Sequence, residues 1–475
     1  MSHAIEKNKT SLAKKVLKFS AILIVSLLLL LVLIALHGYR LGDAYSDLSK
    51  DKQSSHSQDS QSKQDTQLSN EAEQVASRHA SNAILERGAY LSKIADCMAC
   101  HTTRGGAAFA GGRVMESEFG QFITPNITPD KQTGIGNWTA EDFWNALHNG
   151  RGKQGQLLYP AFPFVNYTHI SRADADAIFA YLQSQPAVVQ QNLEHRLVFP
   201  YNQRAGLALW RALYFKPGEL AYQPAQSQEW NRGAYLVRGL AHCSACHSSR
   251  NQFGANKGSD DFSGGEMAGI RWYAPSLVAK HELNLSTWSA VDLSQLLQHG
   301  VNRQSSVNGP MAEVVKASLQ YLTDQDAAAM ANYLRSLPPQ EKTAPDFLDR
   351  AIARPSVSKE QMLQMMEAGE TIYRAQCIDC HGKNGEGQAG IYPALKGNPS
   401  LQMESLSNPI RIILAGGFSP VTKGNPRPYS MPPFAPFLTD TEVALVLTYI
   451  RNAWGNQASA VGAAEVNPYR TASLD

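Results

Sequence analysis

The sequence predicts an all-α protein in which three small helical domains follow an N-terminal transmembrane helix. A Cys-x-x-Cys-His motif occurs three times, and recurring helical patterns flank each copy. A basic tail and a long apolar run open the chain. The chain has 475 residues, which is enough for about three domains.

The three motifs predict covalently bound c-type haem. They read Cys97-Met98-Ala99-Cys100-His101, Cys243-Ser244-Ala245-Cys246-His247 and Cys377-Ile378-Asp379-Cys380-His381. Two thiols three residues apart lie on one side of a helical turn, so both can form thioether bonds along one edge of a single porphyrin. The His that follows can bind the iron from the proximal side. We therefore expect three haems, attached through these six cysteines, with His101, His247 and His381 as axial ligands.

Structural zinc is the main alternative, because zinc ribbons also use Cys-x-x-Cys pairs. A ribbon needs two pairs that converge on one metal. Here the pairs lie more than a hundred residues apart, and each carries the additional His. The motifs use all six cysteines of the chain, so none remains for a disulfide framework. The spacing favours haem over zinc or a redox dithiol.

The N-terminus predicts a membrane anchor. Five lysines precede an apolar run at residues 19–36, which is long enough to cross a bilayer as a helix. The lysines place the N-terminus in the cytoplasm. We expect a cytoplasmic tail at residues 1–18, a transmembrane helix at 19–38 and a flexible polar linker at 39–82. A cleaved signal peptide is the alternative for the run, and an exposed helix near residues 71–79 is the alternative within the linker.

An internal repeat surrounds the motifs and predicts one helix on each side of them. Similar segments at residues 87–91, 232–236 and 368–373 precede the motifs, and each contains a small residue and an aromatic one. Each repeat ends in an apolar segment that carries Tyr181, Tyr333 or Tyr449. We expect the first and last helices of each repeat to cross through the small residue and this Tyr.

Start signals place the last helix of each repeat. Three capping-box patterns precede these helices: Ser171-x-x-Asp174, Thr323-x-x-Asp326 and Thr439-x-x-Glu442. Middle helices are indicated at residues 139–149, 289–299 and, more weakly, 408–414. This layout is that of the class I cytochrome c fold. We expect three such domains at residues 83–190, 191–345 with a leading connector, and 346–475 with a C-terminal tail.

The chain resembles the tri-haem cytochrome c subunits of bacterial membrane-associated dehydrogenases. The resemblance covers roughly residues 84–456 and is carried by Pro125-Asn126-Ile127-Thr128-Pro129-Asp130, Glu229-Trp230-Asn231-Arg232-Gly233-Ala234-Tyr235-Leu236, Gly309-Pro310-Met311-Ala312-Glu313 and Tyr429-Ser430-Met431-Pro432-Pro433-Phe434. Such subunits serve quinoprotein alcohol dehydrogenases, flavin-dependent gluconate and sugar dehydrogenases, and molybdenum-dependent aldehyde or nicotinate dehydrogenases. The resemblance implies a periplasmic dehydrogenase partner and, as acceptor, ubiquinone or a terminal oxidase.

The sixth iron ligands are expected to differ between the domains. A Met sulfur is usual in this fold, and it raises the reduction potential. Met311 and Met431 stand at the expected places of the second and third domains. In the first domain, Phe162 and Ile170 occupy the places where relatives carry Met. His169 is then the expected ligand, while Met115, another ligand and a five-coordinate iron remain open.

These features predict an electron-transfer protein of the bacterial inner membrane, with a single membrane pass and with its haem domains in the periplasm. No separate catalytic motif stands out, so we expect a non-catalytic subunit of a dehydrogenase complex. The alternative is a haem enzyme, similar to a peroxidase, that uses an open first haem. The formal net charge of +2 favours neither nucleic acid nor an anionic membrane as a partner. Which dehydrogenase supplies the electrons is not encoded in this chain.

Overall fold

The structure is a computed structural model that describes residues 20, 23–41, 68–267, 269–341 and 357–471. Its first helix, α1 (Leu23–Arg40), is long and apolar enough to cross a bilayer, and only 6% of it is buried inside the protein. The five lysines of the predicted cytoplasmic tail lie outside the described residues.

The other described residues are divided here into three units, one around each motif, and each unit is described by its helices. Unit 1 contains α2 (Leu68–Ile94), α3 (Cys97–Cys100), α4 (Ala140–Asn149), α5 (Phe164–Tyr167) and α6 (Arg172–Gln183), with strands β1 (Val114–Ser117) and β2 (Gly120–Ile123). The connector to unit 2 contains β3 (Arg196–Leu197) and α7 (Gly206–Tyr214). β1, β2 and β3 form one antiparallel sheet in that order.

Units 2 and 3 follow the same plan. Unit 2 contains α8 (Gln228–Tyr235), β4 (Gly265–Met267), β5 (Trp272–Ala274), α9 (Ala290–His299), α10 (Gly309–Ala317) and α11 (Asp324–Ser336). Unit 3 contains α12 (Lys359–Gln376), α13 (Ile378–His381), α14 (Pro399–Gln402), α15 (Ser407–Ala415), β6 (Gly417–Phe418), β7 (Ser430–Met431), α16 (Asp440–Asn452) and α17 (Ala463–Val466). The predicted middle helices are confirmed as α4, α9 and α15.

The N-terminal part of unit 1 differs from the prediction. α2 begins at Leu68, so the last part of the predicted linker is helical in the structure. This agrees with the helix that was the alternative near residues 71–79. Polar composition indicated a linker there, but polar residues are also tolerated on an exposed helix that continues into a packed one. Residues 42–67 of the predicted linker lie outside the described part of the chain.

The first and last helices of each unit cross at a glycine. A Cβ built on Gly88, Gly233 or Gly369 would lie 1.9, 2.1 or 2.3 Å from a backbone oxygen of the partner helix, closer than any side chain allows. The Cβ atoms of Tyr181, Tyr333 and Tyr449 lie 2.7–2.8 Å from the same positions. The predicted crossing through a small residue and a Tyr is therefore confirmed in all three units.

Units 1 and 2 share one hydrophobic core, while unit 3 has its own. The shared core includes Leu91 and Ile178 from unit 1 together with Leu236 and Met330 from unit 2. The core of unit 3 is built on α12, α15 and α16, with Tyr373 at its centre. The first two units therefore form one packed body.

Two reciprocal clusters join units 1 and 2. In the first, Asp174 of unit 1 accepts hydrogen bonds from Arg87 Nε at 2.7 Å and from the hydroxyl of Tyr235 of unit 2 at 2.6 Å. In the second, Asp326 of unit 2 accepts bonds from Arg232 Nε at 2.8 Å and from the Tyr90 hydroxyl of unit 1 at 2.6 Å. Units 1 and 2 thus each contain one Arg–Asp pair, and each contributes one Tyr hydroxyl to the cluster of the other unit.

These clusters change the helix caps that the sequence predicted. Ser171 and Thr323 accept from the backbone N–H of the third helical residue, as expected of an N-cap. The two cap N–H groups, however, point to the hydroxyls of Tyr235 and Tyr90 from the neighbouring unit. Among these three helices, the capping box is complete within one unit only in unit 3. There the Glu442 carboxylate accepts from the backbone N–H of Thr439, the cap residue of the same helix.

Unit 3 contacts unit 2 through different groups. The Asn408 side chain exchanges two hydrogen bonds with the backbone of Tyr273 in β5, at 2.9 and 2.8 Å. Ser405 and Ser407 donate to the Glu266 carboxylate in β4, at 2.6 and 2.9 Å. The contact between units 2 and 3 is therefore polar and lacks the two-fold character of the contact between units 1 and 2.

The end of α1 packs on the connector helix α7. A Cβ on Gly38 would lie 1.8 Å from the backbone oxygen of Ala208, so the two helices touch backbone to backbone. The Arg211 side chain is fully buried and donates to the carbonyls of Gly38, Leu41 and Asn149 at 3.1, 2.8 and 2.6 Å. A cation at the C-terminal end of a helix stabilises carbonyls that have no partner within the helix. The last turn of α1 is thus built into the folded part of the chain.

Candidate haem sites

Each of the three motifs forms a helical turn in the structure. The backbone N–H of His101, His247 and His381 donates to the carbonyl of the first cysteine of its motif, at 2.9, 2.9 and 3.0 Å. This turn places both thiols on one side, as a bond to two neighbouring vinyl groups requires. The structure thus brings together the two cysteines and the histidine of each predicted site.

The first motif lines part of a large, mainly apolar cavity of about 3230 Å³ that also reaches Cys246 of the second motif, Trp210 of the connector and Arg411 of unit 3. The cavity is lined by Cys97, Cys100 and His101, and also by Phe143, Leu147, Phe162, Tyr167 and Ile170. Small-molecule sites are lined mainly by apolar side chains, as this cavity is. The cavity is larger than a typical site of that kind. The room and the lining beside the first motif fit a porphyrin.

The six thiols form no disulfide, and most of them are partly covered by protein. Five are half-buried, while Cys380 is exposed. Burial raises the pKa of the Cys97 and Cys243 thiols to about 12 and that of Cys377 to about 11. Within the described residues, no three His, Cys, Asp or Glu side chains come together as a metal cluster would need.

A proline carbonyl orients each motif histidine. The Nδ1 atoms of His101, His247 and His381 lie 2.8, 2.7 and 3.1 Å from the carbonyl oxygens of Pro125, Pro275 and Pro393. A carbonyl can only accept, so Nδ1 carries the proton and the lone pair remains on Nε2. Burial also lowers the pKa of all three imidazoles, although the proline hydrogen bond opposes this effect. Each ring therefore presents the neutral tautomer that binds iron through Nε2.

The two predicted methionine ligands pack on hydrophobic cores that also contact motif cysteines. Met311 follows Pro310 in the first turn of α10 and packs on the same core as Cys243. Met431 lies in β7, paired with Gly417 of β6, and packs on the core of unit 3 together with Cys377. The core beside Met311 also contacts Cys97 of the first motif, so Met311 and Met431 stay predicted ligands of the second and third irons.

His169 lies away from the cavity of the first motif. Its Nδ1 is 2.8 Å from the Gly218 carbonyl, and its Nε2 is 2.8 Å from the Ser259 hydroxyl. Both partners belong to the connector and unit 2, and both ring nitrogens are occupied by them. The prediction that His169 is an iron ligand therefore gains no support from this geometry. Phe162 and Ile170 line the cavity instead, and so does Met115.

A charged contact ties the first motif to the helix that carries Met311. Arg113 donates to the carbonyl of Ala99 inside the motif, and its guanidinium makes two bonds to Glu313 of α10, at 2.5 and 2.9 Å. Asp96, beside Cys97, is buried nearby. Burial raises the pKa of Asp96 to about 8, and Glu313 adds to this while Arg113 opposes it. The first and second sites are held against each other by this contact.

Sequence reasoning missed the prolines and the contacts between units. The three proline carbonyls lie 12 to 28 residues beyond their histidines, so no fixed spacing marks them. Arg113 and Glu313 are 200 residues apart. A Pro residue does follow each motif in the sequence. This recurrence is the one sequence signal that could have indicated these hydrogen bonds.

Comparison with known proteins gives a consistent result. The Cytochrome c family matches residues 85–186, 231–338 and 366–454. The gluconate 2-dehydrogenase cytochrome c subunit of Pantoea cypripedii is 36% identical over 397 residues, which cover 81% of this chain and 89% of that protein. The cytochrome c subunit of the quinone alcohol dehydrogenase of Gluconacetobacter polyoxogenes is 34% identical over 406 residues, which cover 82% and 85% of the two chains.

A third relative is much longer than this chain. It is a subunit of the nicotinate dehydrogenase of Pseudomonas putida, 38% identical over 397 residues, which cover 82% of this chain but 32% of that protein. The matched segments of the family contain the three motifs, their histidines and the crossing helices described above. The chain therefore belongs to the cytochrome c family.

Proposed function

We propose that this chain is a membrane-anchored tri-haem cytochrome c that relays electrons from a periplasmic dehydrogenase to ubiquinone or a terminal oxidase. The carrying observation is that all three motifs present the same arrangement of two thiols and a neutral imidazole held by a proline carbonyl. Each haem, when bound, supplies an iron that takes up and releases one electron. The relatives named as dehydrogenase cytochrome subunits support the direction of transfer.

In this proposal the chain's own residues hold the haems and set their potentials. The six cysteines attach three haems, one in each of three class I cytochrome c domains. His101, His247 and His381 bind the irons, and Met311 and Met431 supply the sixth ligands of the second and third. We do not carry His169 into this set, because its two nitrogens are bonded to Gly218 and Ser259.

The packing of α1 supports a retained anchor. Cleavage of a signal peptide after Gly38 would remove the carbonyl of this residue, which Arg211 binds. It would also expose the backbone contact between α1 and Ala208. Since Arg211 is fully buried, losing this partner would leave a buried cation with fewer acceptors. We therefore assign α1 as a single membrane pass with the haem domains in the periplasm.

The proposal is tested by purifying the full chain from native membranes. The intact mass should include α1 and three covalently attached haems. A co-purifying quinoprotein, flavoprotein or molybdenum hydroxylase should reduce all three haems on addition of its substrate, and a water-soluble ubiquinone analogue should reoxidise them. A chain without covalent haem would exclude the proposal, and haems that no dehydrogenase subunit can reduce would exclude the relay.

Replacing Met431 with Leu should lower the midpoint potential of one haem and let that haem bind CO. Leu has nearly the volume of Met but no sulfur, so the core is kept while the sixth ligand is lost. Met403, which is buried in the core of the same unit, provides the control: Met403→Leu should leave all three potentials unchanged. The measurement is a spectroscopic redox titration with a CO difference spectrum. Equal spectra for the two variants would remove Met431 from the ligand set.

A second candidate function rests on the first site. Phe162 and Ile170 line its cavity in the places where relatives carry Met, so the iron there can have an open position. A haem of this kind can bind small ligands and turn over peroxide. CO binding to one ferrous haem of the unaltered chain, together with steady peroxide consumption, would support this enzyme. Resistance of all three haems to CO would leave the relay alone.

A further inference from the structure

One strand of unit 2, β5, touches the segments that carry both predicted axial ligands of the second haem. β5 leads directly into Pro275, whose carbonyl oxygen lies 2.7 Å from Nδ1 of His247. A Cβ built on Gly309, the first residue of α10, would lie only 2.6 Å from the Trp272 ring of β5. Met311 follows two residues later in the same helical turn. The position of β5 therefore bears on both His247 and Met311.

Three consecutive residues at β5 contact unit 3. Arg271 donates to a backbone carbonyl just beyond α17, at 2.6 Å. The Trp272 ring lies under the guanidinium of Arg411 of α15, whose central carbon is 4.9 Å from the ring centre. Tyr273 exchanges two backbone hydrogen bonds with the side chain of Asn408, which also belongs to α15. Unit 3 thus holds the strand that bears on both predicted ligands.

The Asn408 amide takes the place of a third strand. In unit 1, β2 precedes the proline that binds His101, and its other edge pairs with β3 of the connector. Within the described residues, the sheet of unit 2 contains only β4 and β5. Asn408 Oδ1 accepts from the Tyr273 N–H at 2.9 Å, and Nδ2 donates to the Tyr273 carbonyl at 2.8 Å. A residue of a neighbouring antiparallel strand makes the same pair of bonds, so unit 3 completes the sheet of unit 2.

Unit 3 reaches the first turn of α10 by two routes. Arg411 is only 3% exposed, and a cation over a Trp ring is attracted to it more strongly where water is excluded. Arg411 therefore holds the Trp272 ring against the start of α10. β6 makes the second contact, because a Cβ on Gly417 would lie 3.1 Å from Oδ1 of Asn308, the cap residue of α10.

We propose that unit 3 holds the ligand geometry of the second haem, with Asn408 and Arg411 as positioning residues that act through β5. The inference rests on the proposed function, in which His247 and Met311 bind the second iron. Groups that orient the ligands of a metal also tune that metal. Thioether ligation raises the reduction potential. A β5 that moves away from unit 3 loosens the bond to Met311 and lowers the potential of the second haem.

Spectroscopic redox titration and CO binding of the full haem-loaded chain test this inference. Met311→Leu first identifies the signals of the second haem, because Leu keeps the volume of Met but has no sulfur. Asn408→Ala removes both bonds to β5, and Arg411→Lys keeps the charge without the planar group over Trp272. Both variants should lower the potential of the second haem.

CO competes with Met311 for the ferrous iron, so its affinity reports how firmly the methionine is held. Asn408→Ala should raise the apparent CO affinity of the second haem about ten-fold, as the loss of two hydrogen bonds can do. Thr422→Val is the matched control within the same pair of units. It removes the bond from unit 3 to the His299 carbonyl of α9, at 3.0 Å, and leaves β5 untouched. This control should leave all three potentials and the CO affinity unchanged.

The outcomes separate this inference from the ligand assignment on which it rests. If Met311→Leu changes no potential, Met311 is not a ligand, and the assignment and the inference fail together. If Met311→Leu acts but Asn408→Ala and Arg411→Lys behave as Thr422→Val does, the assignment stands and unit 3 does not position the ligand. A shift of the second haem in Thr422→Val as large as that in Asn408→Ala would show a general loosening of the contact, which contradicts the role of β5.

Discussion

Replacing Asp326 with Asn should lower the free energy of unfolding of units 1 and 2 by about 3 kcal/mol, because it leaves Arg232 without its anion in a mostly buried place. Asp326 is 7% exposed and accepts two bonds from Arg232 and one from Tyr90 of the other unit. The substitution therefore weakens both the helix start of α11 and the contact between the units. Denaturant unfolding of the haem-loaded chain, followed by circular dichroism, measures the change.

Unit 3 offers a control at the same position of the repeat. Glu442 caps its own helix from a half-buried position and has no partner in another unit among its capping bonds, so Glu442→Gln should cost much less than Asp326→Asn. Tyr90→Phe and Tyr235→Phe remove only the hydroxyls that cross between units, and each should cost about 1.5 kcal/mol, as for a hydrogen bond to a charged group. If Asp326→Asn and Glu442→Gln lowered the free energy of unfolding equally, the clusters between units 1 and 2 would contribute no more stability than an ordinary helix cap.

The Asp326 cluster should also make stability depend on pH in the acid range. Burial raises the pKa of Asp326, but the bonds from Arg232 and Tyr90 lower it by more, so the folded pKa lies below the ordinary value. A carboxyl of this kind stabilises the fold fully above its unfolded pKa of about 4, and the stabilisation is lost as pH falls through the folded pKa. The unaltered chain should lose stability below about pH 4 more steeply than Asp326→Asn. Parallel curves for the two proteins would contradict this prediction.

Gly233→Ala should destabilise the chain by about 3 kcal/mol, at the upper end of the range for overpacking. The added Cβ would lie 2.1 Å from the backbone oxygen of Ala329, and a backbone atom cannot move aside as a flexible side chain can. α8 and α11 would have to separate, and both pack on the core that units 1 and 2 share. Thermal unfolding and the yield of haem-loaded protein report this loss.

A Gly-to-Ala substitution at a position with open space around it should not lower the stability of the chain. A Cβ on Gly206, near the start of α7, meets nothing within 4 Å. Ala is favoured over Gly in a helix by up to about 1 kcal/mol, so Gly206→Ala should be neutral or stabilising. If both variants gained stability, the crossing of α8 and α11 would have to be looser than the structure shows.

Local patterns predicted most of the helices and the three motif turns. Capping residues and middle helices follow from residues close together in sequence, and each is where the sequence placed it. The glycine crossings join helices far apart in the chain, and the internal repeat is what predicted them. The start of α2 did not follow, because a polar stretch such as residues 71–79 reads equally as a linker or as an exposed helix.

The contacts between units could not be read from the sequence. Tyr90 and Asp326 are 236 residues apart, and nothing in either local pattern names the other. The same holds for Arg211, which the fold buries against the end of α1, 173 residues away in the chain. His169 adjoins the expected ligand position in the sequence, but a shift of one residue on a short helical turn points a side chain to a different side.

The reciprocal clusters bear on the ancestry of the chain. Arg87 and Tyr90 recur as Arg232 and Tyr235 at the same offset, and each unit carries its own Asp at the start of its last helix. A contact in which two like surfaces exchange the same pair of groups is the isologous contact of a two-fold dimer. A single ancestral unit with these three residues could have paired with its own copy before duplication joined the two in one chain. Unit 3 has Ala368 and Thr371 in place of the Arg and Tyr, so it would have joined by another route.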